Sequence, residues 1–430
     1  MEKGEWAPEH QFIFTGDWCA GALVHYLLMK ILIVDFMFSW PPHGGACVDI
    51  KEVASRLIKR GFDVEMLVSY MPDMYPRGHI DDSHLPFKVH KIEFSSFTFN
   101  ILFVPKAVRK AVSKIKPDFV ILSDSYFFKP YIINAVREYK VIARFYTYEL
   151  ICPNYYLLYR NGGICEKNYF DTPASCMRCA LSNMKDEIIS YNLSVWGQEF
   201  VGGLAFMPFY YNYTKRSLSK CRAIITYNSL CHSLLLPFNS NVFVIPGGVS
   251  TGDFKPAART NGSLKNIFVN GRLRDNRKGL EVLLKASTKL REKRNDFKIY
   301  ATIDRPFSED YIVPMGWLDH QKMRKVYQDM DICVVPSLWE EPFGMVAVEA
   351  MACGKPVVAS KAGGLRESVE DGVTGFHFPP GNADVLAEKL NILLDNSSLR
   401  ESMGRAGRER AERLFDWDRI VDMYCEKIFI

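Results

Sequence analysis

The stretch SLWEEPFGMVAVEAMACGKPVV, residues 337–358, decides how the rest of the chain is read. Glu340 and Glu341 stand side by side before Pro342-Phe343-Gly344, and Glu349 interrupts an apolar run of Met345, Val346, Ala347, Val348 and Ala350. Pro342 suits a first helical position, where a missing N–H costs nothing, so a helix is expected to begin near Phe343. That helix would turn the N–H groups of Phe343, Gly344 and Met345 outward, and Gly344 removes a side chain where a ligand must come close. Glu341 would lie at the helix mouth and Glu349 two turns on, roughly 12 Å along the axis. This is too far for an acid and a base acting on one bond, but it suits two hydroxylated parts of one long ligand. The competing reading is a solvated helix face carrying charge. By spacing, Glu341 and Glu349 form the pair, and Glu340 is the glutamate expected in solvent.

The surroundings of this stretch alternate β-rich runs with longer amphipathic segments, the pattern of α/β layers with parallel strands. ILIVDF (31–36), FDVEMLV (62–68), FVILS (119–123), VIARFY (141–146), AIITY (223–227) and VFVIP (242–246) read as strands of a first unit. The pattern restarts with NIFVNG (266–271), FKIYATI (297–303), ICVVPS (332–337), KPVVAS (355–360) and TGFHF (374–378). The Gly/Pro/Thr-rich stretch VFVIPGGVSTGDFKPAART between them is the linker candidate. The expected fold is therefore two doubly wound, Rossmann-like α/β domains, 29–250 and 251–410, with ligand in the crevice beyond the strand ends. Residues 1–28 read either as an extension outside the core or as a surface-packed segment. An aromatic-rich insertion runs from about 152 to 220. A terminal helix over 411–430 carries Ile420, Val421, Tyr424 and Ile428 on one side and is expected to pack back on the first domain.

Composition sets the outer limits. Across 430 residues, 48% are hydrophobic and 24% charged, the balance of a globular enzyme rather than a disordered chain. A net charge of +5 suits an anionic ligand or membrane surface, but there is no basic stripe or motif for nucleic acid. The longest apolar stretch, 21–38, is broken by His25, Lys30 and Asp35, and Glu2, Glu5 and Asp17 spoil a signal peptide. With eleven cysteines and no such leader, a reducing, cytoplasmic setting is expected, with a peripheral place at the cytoplasmic membrane face kept open.

Two further loops follow strands. In HGGA (43–46), Gly44 and Gly45 let backbone N–H groups approach a phosphate or sugar at a helix start, or simply make a tight turn. In VNGRLRDNRKGLEVLL (269–284), Arg272 and Lys278 converge between a strand end and a helix start, a pairing that suits a diphosphate. A solvated basic loop is the plainer alternative.

Taken together and in order, these motifs resemble the family 4 retaining glycosyltransferases of the GT-B fold. Glu341 and Glu349 match that family's E-x7-E signature, and NGRL…RKGLEVLLKA its phosphate loop. VIPGGVSTGDFKP matches its interdomain segment, and PVVASKAGGLRESVEDGVTGFHFPPGN the stretch after the glutamates. The likeness is dense from about 241 to 410 and looser before. It implies that Arg272 and Lys278 bind the diphosphate of a nucleotide-sugar and that Glu341 faces the donor sugar, the three acting as the catalytic set. Phe343, Gly344 and Met345 would lend amides, Glu349 would take the ribose hydroxyls, and Gly44 and Gly45 would approach from the opposite domain. Where many members carry a histidine before a Cys-Pro, this chain reads RFYTYELICPN. Tyr146 takes that register, with Tyr148 and Glu149 as neighbouring candidates on the acceptor side.

Two Asp-x-Asp pairs, DMD (329–331) and DWD (416–418), lie at helix and strand ends rather than on a loop after a strand. The expected transfer therefore requires no cofactor. The insertion carries Cys152, Cys165, Cys176 and Cys179 as C-x12-C-x10-C-x2-C, which reads as a structural zinc site, as reduced thiols or as disulfides. Its segment 194–216, rich in aromatics and ending in Lys-Arg, either packs on the first domain or rests on a membrane beside a lipid-linked acceptor. The expected function is transfer of a sugar from a nucleotide-diphosphate sugar to an acceptor that is a glycan, lipid-linked or a small molecule. The rivals are an epimerase on the same fold and a catalytically silent partner subunit that binds sugar nucleotides.

Overall fold

The computed structural model describes residues 29–72, 77–154, 158–189, 193–257 and 264–429; the expected extension 1–28 lies outside them. Two all-parallel sheets form the framework. The first holds β1 (Lys30–Asp35), β2 (Asp63–Tyr70), β3 (Lys88–Glu93), β4 (Phe119–Leu122), β5 (Lys140–Arg144), β8 (Ala223–Thr226) and β9 (Val242–Val244), in the order β3-β2-β1-β4-β5-β8-β9. The hairpin β6 (Tyr159–Arg160) and β7 (Gly163–Ile164) stands apart from it. The second sheet holds β10 (Lys265–Val269), β11 (Phe297–Ala301), β12 (Ile312–Pro314), β13 (Ile332–Val335), β14 (Val357–Ser360) and β15 (Gly375–Phe378). Its order is β12-β11-β10-β13-β14-β15.

The central strands are continuous apolar runs because helices cover both faces. In β1, Ile31, Leu32, Ile33 and Val34 are buried and pair in register with Val64–Leu67 on one side and Phe119–Leu122 on the other. Besides the hairpin β6–β7, the strands that the sequence reading lacks are β3 and β12, and both are sheet edges. KVHKIE is half exposed and lysine-rich and β12 has three residues, so neither carries the buried-run signal.

The chain passes between the domains twice, and the two passages run side by side. Val249 N–H donates to the Phe415 carbonyl at 2.7 Å. A Cβ on Gly248 would meet the Trp417 ring at 2.5 Å, so only glycine lets the indole lie flat there. The terminal helix Trp417–Lys427 then packs on the first-domain helix Gly45–Lys59, with Arg60 paired to Asp422 at 2.6 Å. Phe429 closes this seam against Phe62 and Phe119, with ring centroids at 5.2 and 5.1 Å.

The insertion adds the helices Pro173–Ile189, Val195–Gly202 and Pro208–Leu218. Trp196, Phe200 and Tyr210 are buried around Phe127, while Val201, Phe206, Met207 and Phe209 stay exposed.

Candidate functional site

The loops at the carboxyl ends of β10, β13 and β14 meet where the sequence places its candidates. After β10 the chain turns through Asn276–Lys278 and reverses at Gly279, whose φ is +71°. A Cβ there would stand 1.8 Å from the Pro336 carbonyl oxygen, so this loop lies directly on the loop after β13. Its cations have different partners. Arg277 is held by Asp275 at 2.7 Å, Arg274 by Asp304 at 2.7 Å, and Lys278 Nζ reaches both Glu341 oxygens, at 3.2 and 3.0 Å. Arg272 is exposed, and among the described residues no carboxylate pairs with it.

Glu341 also accepts from Ser337 Oγ at 2.9 Å, and the Lys278 ammonium lies 5.2 Å from the Trp339 ring centre. The expectation of a solvated Glu340 is corrected. Glu340 is buried, accepts from the Gly363 N–H and pairs with Arg366 at 2.9 Å. A carboxylate must lie there because the glycines 363 and 364 bring the β14 loop against the β13 loop with no side chain between. Gly364 N–H donates to the Glu341 carbonyl at 2.6 Å, and a Cβ on Gly363 would fall 2.1 Å from that oxygen.

The helix start is corrected as well. The helix runs Met345–Ala352, with Gly344 at its N-cap in the left-handed region, φ +93°, so Pro342 lies in the loop rather than at the first helical position. A β-carbon at Gly344 would strike Leu365 at 2.4 Å. The amides that open this helix, Met345 and Val346, have no acceptors within it, and Ala347 N–H donates to the Gly344 carbonyl at 2.9 Å. Glu349, a turn further on, accepts from Tyr327 Oη at 2.9 Å, and Tyr327 in turn accepts from Asn270 Nδ2 at 3.1 Å. Burial pushes the Glu349 carboxyl up to about 7 despite that hydrogen bond.

The opposite wall is first-domain backbone. Gly44 and Gly45 are exposed at the start of the helix Gly45–Lys59, and a Cβ on Gly45 would sit 3.3 Å from Met345. The domains touch through Asn228 Nδ2, which donates to the Pro342 carbonyl at 2.6 Å, and through Phe343, stacked on Tyr227 at 5.6 Å. Gly247 allows this, since a Cβ there would be 2.7 Å from the Phe343 ring.

The three acceptor-side candidates are brought near this wall but are buried and engaged. Tyr146 donates to Asp49 at 3.0 Å, Tyr148 accepts from Asn228 at 3.0 Å, and Glu149 pairs with Lys129. Burial raises Glu149 to about 7 against the pull of that ammonium. One aspartate of each Asp-x-Asp pair is engaged in holding the fold, and Asp329 and Asp418 are exposed. Asp331 accepts from Asn266 N–H at 2.7 Å, and Asp416 caps the terminal helix and holds Thr251.

The site thus offers an unpaired guanidinium, an ammonium paired with a carboxylate, helix-start amides and a protonatable carboxylate along one crevice. Such a row fits a long ligand with a doubly charged centre and hydroxylated ends. Sequence reasoning missed Tyr327, Asn270, Arg366, Ser337 and Trp339. Ser337 and Trp339 stand in the same loop as Glu341, Asn270 opens the NGRL loop and Arg366 lies in the stretch after the glutamates, so each carried a signal; Tyr327 is brought in by the helix His320–Asp329 with no motif.

The chain is similar in sequence and in fold to known proteins. Residues 309–410 match the family described as Glycosyl transferases group 1. A D-inositol 3-phosphate glycosyltransferase of an Arthrobacter species is 31% identical over 210 residues, 43% of this chain and 49% of that protein. The phosphatidyl-myo-inositol mannosyltransferase of Mycobacterium leprae is 33% identical over 195 residues, 42% of this chain and 52% of that protein. The chain thus spans about half the length of the curated relatives it matches. Among solved structures, a sucrose-phosphate synthase from Thermosynechococcus elongatus superposes with TM-score 0.66 at 19% identity, over 93% of this chain and 98% of that one. Anabaena HepE in complex with UDP-glucose superposes with TM-score 0.63 at 18% identity, over 93% and 99%. The fold is GT-B, two Rossmann-like domains across a cleft.

The raised carboxyl of Glu349 makes a stability prediction. Its folded pKa lies above the unfolded value, so its neutral form is favoured by folding, and the protein loses stability as pH rises from about 4.5 to 7. Glu349→Gln is expected to match the wild type near pH 4.5 and to exceed it above pH 7 by on the order of 3 kcal/mol. Denaturant titration across this range measures it, and parallel curves would show that Glu349 is ionised in the folded chain.

Proposed function

We propose that this chain is a retaining, family 4 glycosyltransferase that moves a sugar from a nucleotide-diphosphate sugar to an acceptor held by the first domain. The observation that carries the reading is the division of labour among the loop cations. Arg277 is neutralised by Asp275 of its own loop and Arg274 by Asp304 of the loop after β11, while Arg272, on the same loop as Lys278, has no carboxylate partner among the described residues. Diphosphate recognition needs cationic donors on one loop; Arg272 is unspent, and Lys278 shares its ammonium with Glu341 at 3.0 Å.

In this reading Lys278 and Arg272 bind the diphosphate and stabilise the charge that develops as the bond from the anomeric carbon to the phosphate oxygen breaks. Glu341, fixed by Lys278 and Ser337, faces the donor sugar. Glu349 takes the ribose hydroxyls, trading its Tyr327 bond for stronger acceptance once ionised. Phe343, Gly344 and Met345 lend backbone groups, and Gly44 and Gly45 close on the donor from the other side. The acceptor oxygen bonds to the anomeric carbon and its proton is released. The residues named complete this transfer without a divalent ion. The HepE complex with UDP-glucose, on the same fold, supports a nucleotide-sugar donor.

Incubation with UDP-, GDP- and ADP-sugars should show slow donor hydrolysis or transfer, and Arg272→Ala should weaken donor binding by about 2–5 kcal/mol. Inertness toward every donor with intact binding would favour the silent partner subunit, and unchanged affinity in the variant would remove Arg272 from the site.

A lipid-linked acceptor is favoured by one surface of the first domain. Phe97, Leu102 and Phe103 are 89, 62 and 50% exposed, and they adjoin Val201, Phe206, Met207 and Phe209 through a bond from Ile101 N–H to the Gly202 carbonyl at 3.1 Å. The stretch from Val104 to Lys116 beside them carries Lys106, Arg109, Lys110, Lys114 and Lys116 and no carboxylate. No helix among the described residues is long and apolar enough to cross a membrane. Arg109 is paired with Glu138 at 3.2 Å, and the apolar side chains with the remaining lysines beside them fit an anionic bilayer surface.

The chain should co-sediment with phosphatidylglycerol-containing vesicles, and the triple variant Phe97→Asp, Leu102→Asp, Phe103→Asp should lose at least roughly tenfold in that binding. Absence of vesicle binding, or a dimer in solution that the same variant dissolves, would overturn the bilayer as occupant.

A further inference from the structure

The insertion brings four distant thiols to one place. Cys152 ends the segment that leaves β5, Cys165 directly follows the hairpin β6–β7, and Cys176 and Cys179 lie in the first two turns of the helix Pro173–Ile189. All four line a single cavity of about 20 Å³, together with Asn154 and Lys167, and none forms a disulfide. That volume admits one ion and no organic molecule.

We infer that these four cysteines form a structural tetrathiolate site for one Zn²⁺. The architecture is that of a closed structural site: two ligands flank a hairpin and two stand at i and i+3 on one helix face, near the N-terminal end that favours thiolate charge. As placed, the sulfurs are taken up by local hydrogen bonds, and no three metal-ligating side chains of the described residues form a ready shell. Cys152 Sγ donates to the Asn154 carbonyl at 3.1 Å, Asn154 Nδ2 donates to Cys179 Sγ at 3.2 Å, and Cys176 Sγ lies 3.6 Å from Thr172 Oγ1. These are weak partners for sulfur. Rotation about χ1 between staggered wells turns thiols that already share a cavity toward its centre. Four protons leave as the thiolates bind, and no electron transfer is involved.

The insertion has a physical need for such an ion. The hairpin has two residues in each strand, far below what stands alone in water. The segment around it is bonded through Tyr169 N–H to the Ile151 carbonyl at 2.7 Å and Trp196 Nε1 to the Pro153 carbonyl at 2.9 Å, while the later helices of the insertion are held to the first domain by Tyr131 Oη to the Gly203 carbonyl at 2.8 Å and Tyr210 Oη to the Phe127 carbonyl at 2.9 Å. An ion on Cys152 would fasten the hairpin and the helix Pro173–Ile189 to the strand-end segment that carries Tyr146, Tyr148 and Glu149.

The full chain, purified under reducing conditions without chelator, should contain close to one equivalent of zinc by elemental mass spectrometry. Growth with cobalt should yield the intense sulfur-to-cobalt absorption of a tetrathiolate site. Cys176→Ser/Cys179→Ser should abolish both, and Cys425→Ser should leave both in place. A mercurial titration of the wild type supplies a second readout that does not depend on the double variant folding, with release of one zinc as four thiols react. Metal-free protein with four titratable thiols, a Cys176–Cys179 disulfide, or stoichiometric iron in place of zinc would each overturn the assignment.

Discussion

The site depends on one buried carboxylate that does not face the ligand. Glu340 accepts the Gly363 N–H and the Arg366 guanidinium, and so ties the loop after β13 to the loop after β14. Between them the chains approach so closely that Gly363 and Gly364 have no room for a β-carbon. Removing the carboxylate would leave a buried N–H without an acceptor, at about 1–3 kcal/mol. Glu341, its neighbour in sequence, is thereby free to turn to Lys278 and Ser337. Two adjacent glutamates divide the work, one holding the loop and the other lining the cleft.

A second constraint joins the two domains. Asn228, Tyr227 and Gly247 of the first domain receive Pro342 and Phe343 of the second, while Gly248 admits the Trp417 ring. The segment that carries the site is therefore also the segment on which the domains meet. A motion that opens the cleft must break the Asn228–Pro342 bond and unstack Phe343 from Tyr227. Gly45, facing Met345, would move with it.

How much of this was legible in the sequence follows from where the physical signals are local. The buried runs of β1, β4, β10, β13 and β14 announce themselves because a strand covered on both faces is apolar throughout. The edges β3 and β12 do not, since half-exposed strands lack that signal. The pairing of Lys278 with Glu341 was not read from the sequence, because 63 residues separate them; the family likeness only assigned both to one donor site. Tyr327, which holds Glu349, sits on a helix whose periodicity reports packing and not function. The reversed role of Glu340 has the same origin: spacing identified the wrong glutamate as solvated because its partners lie on a loop more than twenty residues away. Gly344 was read correctly as a point of close approach, but for a ligand, whereas its neighbour in the structure is Leu365.

Every role proposed for the site follows from a nucleoside diphosphate lying along the crevice between the sheets. A crystal structure of the full chain with UDP, GDP or ADP bound tests this most directly. The account predicts the diphosphate between Arg272, Lys278 and the amides that open the helix Met345–Ala352, with the ribose hydroxyls on Glu349 and Tyr327 displaced from it. A nucleotide seated elsewhere, or one that leaves the Tyr327–Glu349 bond intact and Arg272 in solvent, would contradict it.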